Sequence, residues 1–179
     1  SEHAAHVSPS RCVGRSMAAV TERPFRFYDN RQKYLTFVNT CDEKWRIAER
    51  AAQEIPRLDP RPPALRLFDA GVGDGTVLAH LLSALHAEHP TVPFYVVGKE
   101  ISLEDIRLTL EKLPDRFVEH PEMVVVLTNL HYAESPWLLP NSDDKRQRMV
   151  FKNVALDGNT SYGFGEQLRG LDGFLAEHW

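Results

Sequence analysis

Asp69-Ala-Gly71-Val-Gly73-Asp-Gly75-Thr76 sets three glycines at alternate positions behind an acidic residue, directly after the apolar run Leu65 to Ala70. Glycine turns the backbone tightly and lets a ligand approach it closely. The helix that follows such a turn offers unpaired N–H groups to anything electron-rich. A strand, this turn and a helix together make a nucleotide cradle. A dinucleotide fingerprint needs a small residue three places after the second glycine, where this chain has Thr76, so the NAD pattern fits poorly. Glu100 ends the next apolar run. An acidic residue there suits a vicinal diol, because one carboxylate accepts from both ribose hydroxyls and charge-assisted bonds are the strong ones. Asn129-Leu130-His131-Tyr132 follows the third run. His131 is the best-placed candidate base, since a neutral imidazole titrates near physiological pH, although a loop histidine is the plainer reading. Asp157, in Asp157-Gly158-Asn159, is a candidate for orienting a substrate and equally a plain turn aspartate.

Asp-x-Gly-x-Gly-x-Gly followed one β-α step later by Glu100 resembles the first two motifs of the class I S-adenosylmethionine (SAM)-dependent methyltransferases. The resemblance implies a Rossmann-like fold and S-adenosyl-L-methionine as cofactor. It implies that Gly71, Gly73 and Gly75 line the methionine and ribose part, and that Asp69 orients the turn or reaches the amino group. Glu100 would bind the ribose with Ile101 beside it, and Asn129 and Leu130 would flank the adenine. The family usually carries an aspartate where this chain has Asn129; an amide oxygen also accepts from the adenine amine. Asn129-Leu-His-Tyr132 also looks like the Asn-Leu-Pro-Tyr motif of the rRNA adenine dimethyltransferases, with His131 in place of the proline and one strand early by count. Methyl transfer to RNA adenine is therefore an alternative. An aminopropyl transferase on a similar sheet is another, without evident acidic residues to grip a polyamine.

The elements that must position these residues are legible from periodicity. Residues 25–38 are rich in aromatics and cations, and Thr40-Cys41-Asp42-Glu43 reads as a capping box. A helix with Trp45, Ile47, Ala48, Ala51, Ala52 and Ile55 on its apolar stripe follows, ended by Pro56 and the prolines at 60, 62 and 63. Strands are expected at Leu65–Ala70, Val92–Glu100, Met123–Thr128 and Met149–Leu156. Helices are expected at Thr76–His89, from a Ser102 cap to about Leu113 with Pro114 and Pro121 bracketing the exit, and over Ser161–Trp179. Apolar strands alternating with amphipathic helices predict a doubly wound, mainly parallel α/β sheet of about four strands, covered on both faces and preceded by N-terminal helices. The expected divisions are a flexible leader over residues 1–24, a helical lid or cap over 25–64 in which Tyr28, Tyr34 and Trp45 are candidates, and the SAM-binding domain over 65–179. The family fold has seven strands, so the chain is expected to be a fragment holding the cofactor half, to pair the 149–156 edge with a second copy or another chain, or to be a natural short form.

The chain has 179 residues, 42% hydrophobic and 26% charged, which is an ordinary globular composition. A net charge of −4 argues against a protein that coats nucleic acid. The run Lys145, Arg146, Arg148 is most simply a solvated loop. Cys12 and Cys41 lack metal-ligand spacing, and with no metal expected they read as reduced thiols of a cytoplasmic protein. No apolar run approaches the ~20 residues of a membrane span, so no membrane partner is expected. The expected reaction is methyl transfer to an acceptor that the sequence does not name, with a small molecule placed first by the acidic balance. The competing class is a non-catalytic interaction module on the same fold.

Overall fold

A computed structural model describes Thr36 and residues 42–179. The chain falls into two compact units, Ser1–Phe37 and Val38–Trp179. The leader, Tyr28, Tyr34, Thr40 and both cysteines lie outside the described residues. The first described helix, α1, spans Glu43–Ala52, with Asp42 at the N-cap and no side-chain cap bond there. A 3-10 turn at Ile55–Arg57 ends the segment, with Pro56 in its first positions.

Then come β1 (Leu65–Asp69), α2 (Thr76–Glu88), β2 (Phe94–Lys99), α3 (Leu103–Glu119) and β3 (Met123–Thr128). The strands form one parallel sheet in the order β1-β2-β3, with Leu65 beside Phe94 and Phe94 beside Met123. Each step therefore moves the same way across the sheet. Right-handed crossovers that move the same way put their helices on the same face. The packing agrees: Leu65, Phe94, Val96 and Met123 from alternate strand positions share one core with Leu78, Leu82 and Leu85 of α2 and Leu113 of α3. Ile55 reaches the same core, and α1 packs on α2, with Trp45 edge-on to His80 at 4.0 Å.

Three expectations are corrected. The sheet has three described strands, not four: Met149–Leu156 is irregular and mostly exposed, and apart from Met149 N donating to Arg146 O its backbone shows no partner among the described residues. A strand is a pairing, and apolar content does not supply the neighbour. Covering of both faces is only partial among the described residues: Val97 on the second face is buried and the Ser135–Trp137 turn packs on β2, but other positions are open. On the face opposite α2 and α3, Phe68 is 38% exposed and Val124 57%. Pro114 does not end α3, which continues to Glu119 with the proline buried inside it. Its ring faces the helix over Ser161–Arg169, where a Cβ on Gly165 would lie only 3.7 Å from Pro114 Cγ. Packing compensates for the lost backbone bond.

The remaining elements are a 3-10 turn (Ser135–Trp137), α4 (Asp143–Gln147), α5 (Ser161–Arg169) and α6 (Asp172–His178). The single C-terminal helix expected is thus two. Gly170, a poor helix former, closes α5 by donating to Glu166 O, and Leu171 donates to Leu168 O. Leu168 and Leu175 are both buried. α5 packs on α3, and Arg107 Nε meets Asp172 Oδ1 at 2.6 Å. No helix among the described residues is long and apolar enough to cross a membrane.

Candidate functional site

In an open parallel sheet, ligands lie beyond the C-terminal strand ends. β1 delivers Asp69 there, β2 delivers Glu100, and β3 delivers Asn129. The glycine turn is tied to both acidic residues. Asp69 Oδ1 accepts from Gly71 N at 3.0 Å, and Glu100 Oε2 accepts from Gly73 N at 2.9 Å. Val72 N donates to Lys99 O, which draws the turn against the end of β2. Glu100 Oε1 accepts from Ile101 N at 2.7 Å and Ser102 N at 2.8 Å. A carboxylate offers about four lone-pair sites, so one on Oε2 is still free of backbone. Burial pushes the Asp69 carboxyl above its ordinary value; the Gly71 bond works against that, and the negative charge of Glu100 adds to it.

The three glycines differ in what the fold asks of them. Gly73 has φ 58° and Gly75 φ 77°, which is left-handed backbone. A Cβ on Gly75 would also lie 2.9 Å from Thr109 Cα. Gly71 has neither constraint: nothing lies within 4 Å of its Cβ position. The fold does not require glycine there, so the space beside Gly71 is open to a ligand. Ile101, 69% exposed, stands at the rim next to Glu100.

Several residues that hold this site carry no signal that the sequence reading used. Asp74 is only 8% exposed. Its Oδ1 meets Lys44 Nζ of α1 at 2.7 Å and accepts from Thr76 N at 3.2 Å. Its Oδ2 accepts from Thr76 Oγ1 at 3.0 Å and faces Lys112 Nζ of α3 at 3.4 Å. Burial pushes this carboxyl up, but the Lys44 and Thr76 bonds and the charges of Lys112 and Lys44 together hold it down at about 2. Thr109, fully buried in α3, donates its hydroxyl to Gly73 O at 2.9 Å. Gly98 in β2 makes room for the turn, since a Cβ there would lie 2.6 Å from Val72 Cγ2. The legible signal for Asp74 was Asp-Gly-Thr at a helix start, where a short acidic side chain reaches back to the first free N–H groups.

The β3 end is less organised. Asn129 Nδ2 points at the carbonyls of His178 and Trp179, at 3.4 Å each. Leu130 is half-buried, and its N donates to Thr128 Oγ1. His131 Nδ1 accepts from Ala133 N at 3.3 Å, so the neutral ring carries its proton on Nε2 and offers no basic lone pair outward. Asp157 is held against α5 through its backbone, by Gln167, and no hydrogen bond joins it to the turn or to Glu100. The basic run, expected as a solvated loop, is exposed but lies on and just after the short helix α4. Lys145 Nζ pairs with the buried Glu134 at 3.2 Å, Arg146 with Asp143, and Arg148 with Asp144. Among the described residues no group of three or more His, Cys, Asp or Glu is placed to hold a metal ion.

The structure therefore brings Asp69, Gly71, Gly73, Gly75, Glu100 and Ile101 together, and leaves His131 and Asp157 outside that cluster. No protein-family model, curated protein or solved structure matches this chain.

Proposed function

We propose that this chain binds S-adenosylmethionine at the β1–β2 end of its sheet and serves as a methyltransferase, with a small molecule as the first choice of acceptor. The reading rests on one observation: two carboxylates from adjacent parallel strands, Asp69 and Glu100, converge on one glycine turn. The free lone pair on Glu100 Oε2 suits a ribose hydroxyl. The space beside Gly71 suits close approach of a ligand to backbone. The negative charge of Glu100 adds to the cost of the charge on Asp69, which favours a cationic ligand beside Asp69. Ile101 would give the nucleoside an apolar platform.

The cofactor supplies an already activated methyl group, so the chain's work is binding, orientation and exclusion of water. Glu100 and the turn amides would fix the nucleoside, and Asp69 would face the positive end. No general base is required for binding, and the chemistry assigns none to His131 or Asp157.

Titration calorimetry with SAM and with S-adenosylhomocysteine tests the proposal. Heat of binding is expected from the wild-type chain. Glu100→Ala should weaken it by about 1.5–3 kcal/mol, the size of a hydrogen bond to a charged group. Gly71→Ala should keep the fold and weaken binding. A folded wild-type protein that gives no heat with either ligand would sink the proposal.

A second reading, a binding module completed by another chain, draws on a separate observation. The exposed Phe68 and Val124, together with the irregular segment holding exposed Val150 and Phe151, offer apolar surface and unpaired backbone. Bound cofactor without turnover of any acceptor pool would favour that reading.

A further inference from the structure

At the opposite end of the sheet from the glycine turn, two histidines meet. His86 of α2 and His120, which closes α3, place their Nδ1 atoms 2.9 Å apart. His120 is 3% exposed and lies flat on Phe94 of β2, with ring centroids 3.8 Å apart and 5° between the planes. Its Nε2 is 3.0 Å from Val92 O. The pair thus joins the last turn of α2, the end of α3 and the entry to β2.

Hydrogen-bond chemistry allows one proton arrangement here. Val92 O can only accept, so His120 Nε2 carries a hydrogen. In a neutral ring His120 Nδ1 is then an acceptor, and the hydrogen between the rings belongs to His86 Nδ1. The basic lone pair of His86 is therefore on Nε2, on a ring that is only partly buried. A first proton arriving at His86 Nε2 leaves every existing bond in place and makes the donor cationic, which strengthens the bond. A second proton must go to His120 Nδ1. That sets two N–H groups face to face with no acceptor between two cations.

We propose that His86 and His120 form an acid-released clasp between α2, α3 and β2, which stays shut on binding one proton and opens on binding the second. The charged and titratable groups around it are mixed. Glu119 of α3 and Glu122 before β3 favour a cation at His120, while burial and the charge of His86 oppose it and hold His120 below its ordinary value. Glu119 is itself engaged by Ser83 of α2 and by Arg116. His89, at the C-cap of α2, buries its Nε2 without a partner among the described residues. Protons bound by such a pair titrate as a unit.

Long-range proton–nitrogen NMR of the full chain tests this directly, together with denaturant unfolding from pH 8 to pH 5. At pH 8 the expected tautomers are Nε2–H for His120 and Nδ1–H for His86. On acidification His86 should take up a proton first, with His120 still neutral. The unfolding midpoint should fall as pH drops below the ordinary histidine value, where the unfolded chain binds a proton that buried His120 refuses, and the fall should end once His120 in the folded chain takes up its own proton. His120→Phe, which keeps the stacking on Phe94, should lose most of that fall. His86 in the Nε2–H form, two independent titrations at the ordinary histidine value, or an unchanged fall in His120→Phe would each overturn the proposal. If His120→Phe does not fold, the wild-type tautomers and the order of titration decide alone.

Discussion

Gly75 carries two constraints at once, a left-handed φ of 77° and a Cβ position 2.9 Å from Thr109 Cα. Either alone makes a side chain costly. Strained left-handed backbone costs about 1–3 kcal/mol, and the helix backbone of α3 cannot move aside as a side-chain tip would. Gly75→Ala is expected to lower stability by at least about 2 kcal/mol in denaturant unfolding, summing strain and clash. Asp74 next to it carries a charge that folding depends on. Its folded value of about 2 lies below the ordinary 3.8. The unfolded chain therefore takes up the proton first as pH falls. The stabilisation is fully present above about pH 4 and is lost as pH drops toward 2. A shift of that size corresponds to about 2 kcal/mol. Unfolding measured at pH 5 and pH 2 should show the loss, and Asp74→Asn should remove most of that pH dependence while lowering stability at pH 5. The sequence displayed Asp74 as one letter inside a glycine motif. Its partners, Lys44 and Lys112, lie far off along the chain, and nothing in periodicity brings them together.

Elements were read well where one strong pattern decided them. β1, β2, β3 and α2 are short apolar runs or stripes bounded by glycine and proline, and the register of the sheet follows from their buried alternate positions. Reading failed where the outcome depended on a neighbour. Pro114 has every local reason to end a helix, yet α3 runs on because α5 packs against the ring. Met149–Leu156 has strand composition and no strand to join among the described residues. α3 also supports the site at a distance, through the Thr109 hydroxyl on Gly73 O. Thr109→Val keeps the volume and leaves that carbonyl without its donor, so it should cost about 1–3 kcal/mol in unfolding free energy. If the proposed SAM binding is weakened in this variant as well, α3 holds the turn in its binding shape. Of the candidate site, the acids and glycines were legible because their types are rare and their spacing is short. Thr109 and Gly98 were not, because a threonine in a helix and a glycine in a strand have many ordinary explanations.

At the scale of the molecule, stepping one way across the sheet leaves the helices α2 and α3 on a single side. The opposite side shows Phe68 and Val124, and the outer edge of β1 has no described strand beside it. Open edges and apolar faces promote association. Sedimentation velocity over a range of concentrations should show self-association that grows with salt. Val124→Lys, on an exposed side chain, should reduce it with little change in unfolding midpoint.

The turn itself is fastened differently from the strands. The amides of residues 71, 73 and 76 end on the carboxylates of Asp69, Glu100 and Asp74, whereas the sheet amides end on carbonyls. Carbonyl acceptors do not titrate; the carboxyls of Asp69 and Asp74 do. Asp69 is held high and Asp74 low. In falling pH the Asp69 tie to Gly71 is therefore lost before the Asp74 tie to α2, while the bonds of the turn to Lys99 and Thr109, like those of the strand ladder, do not titrate.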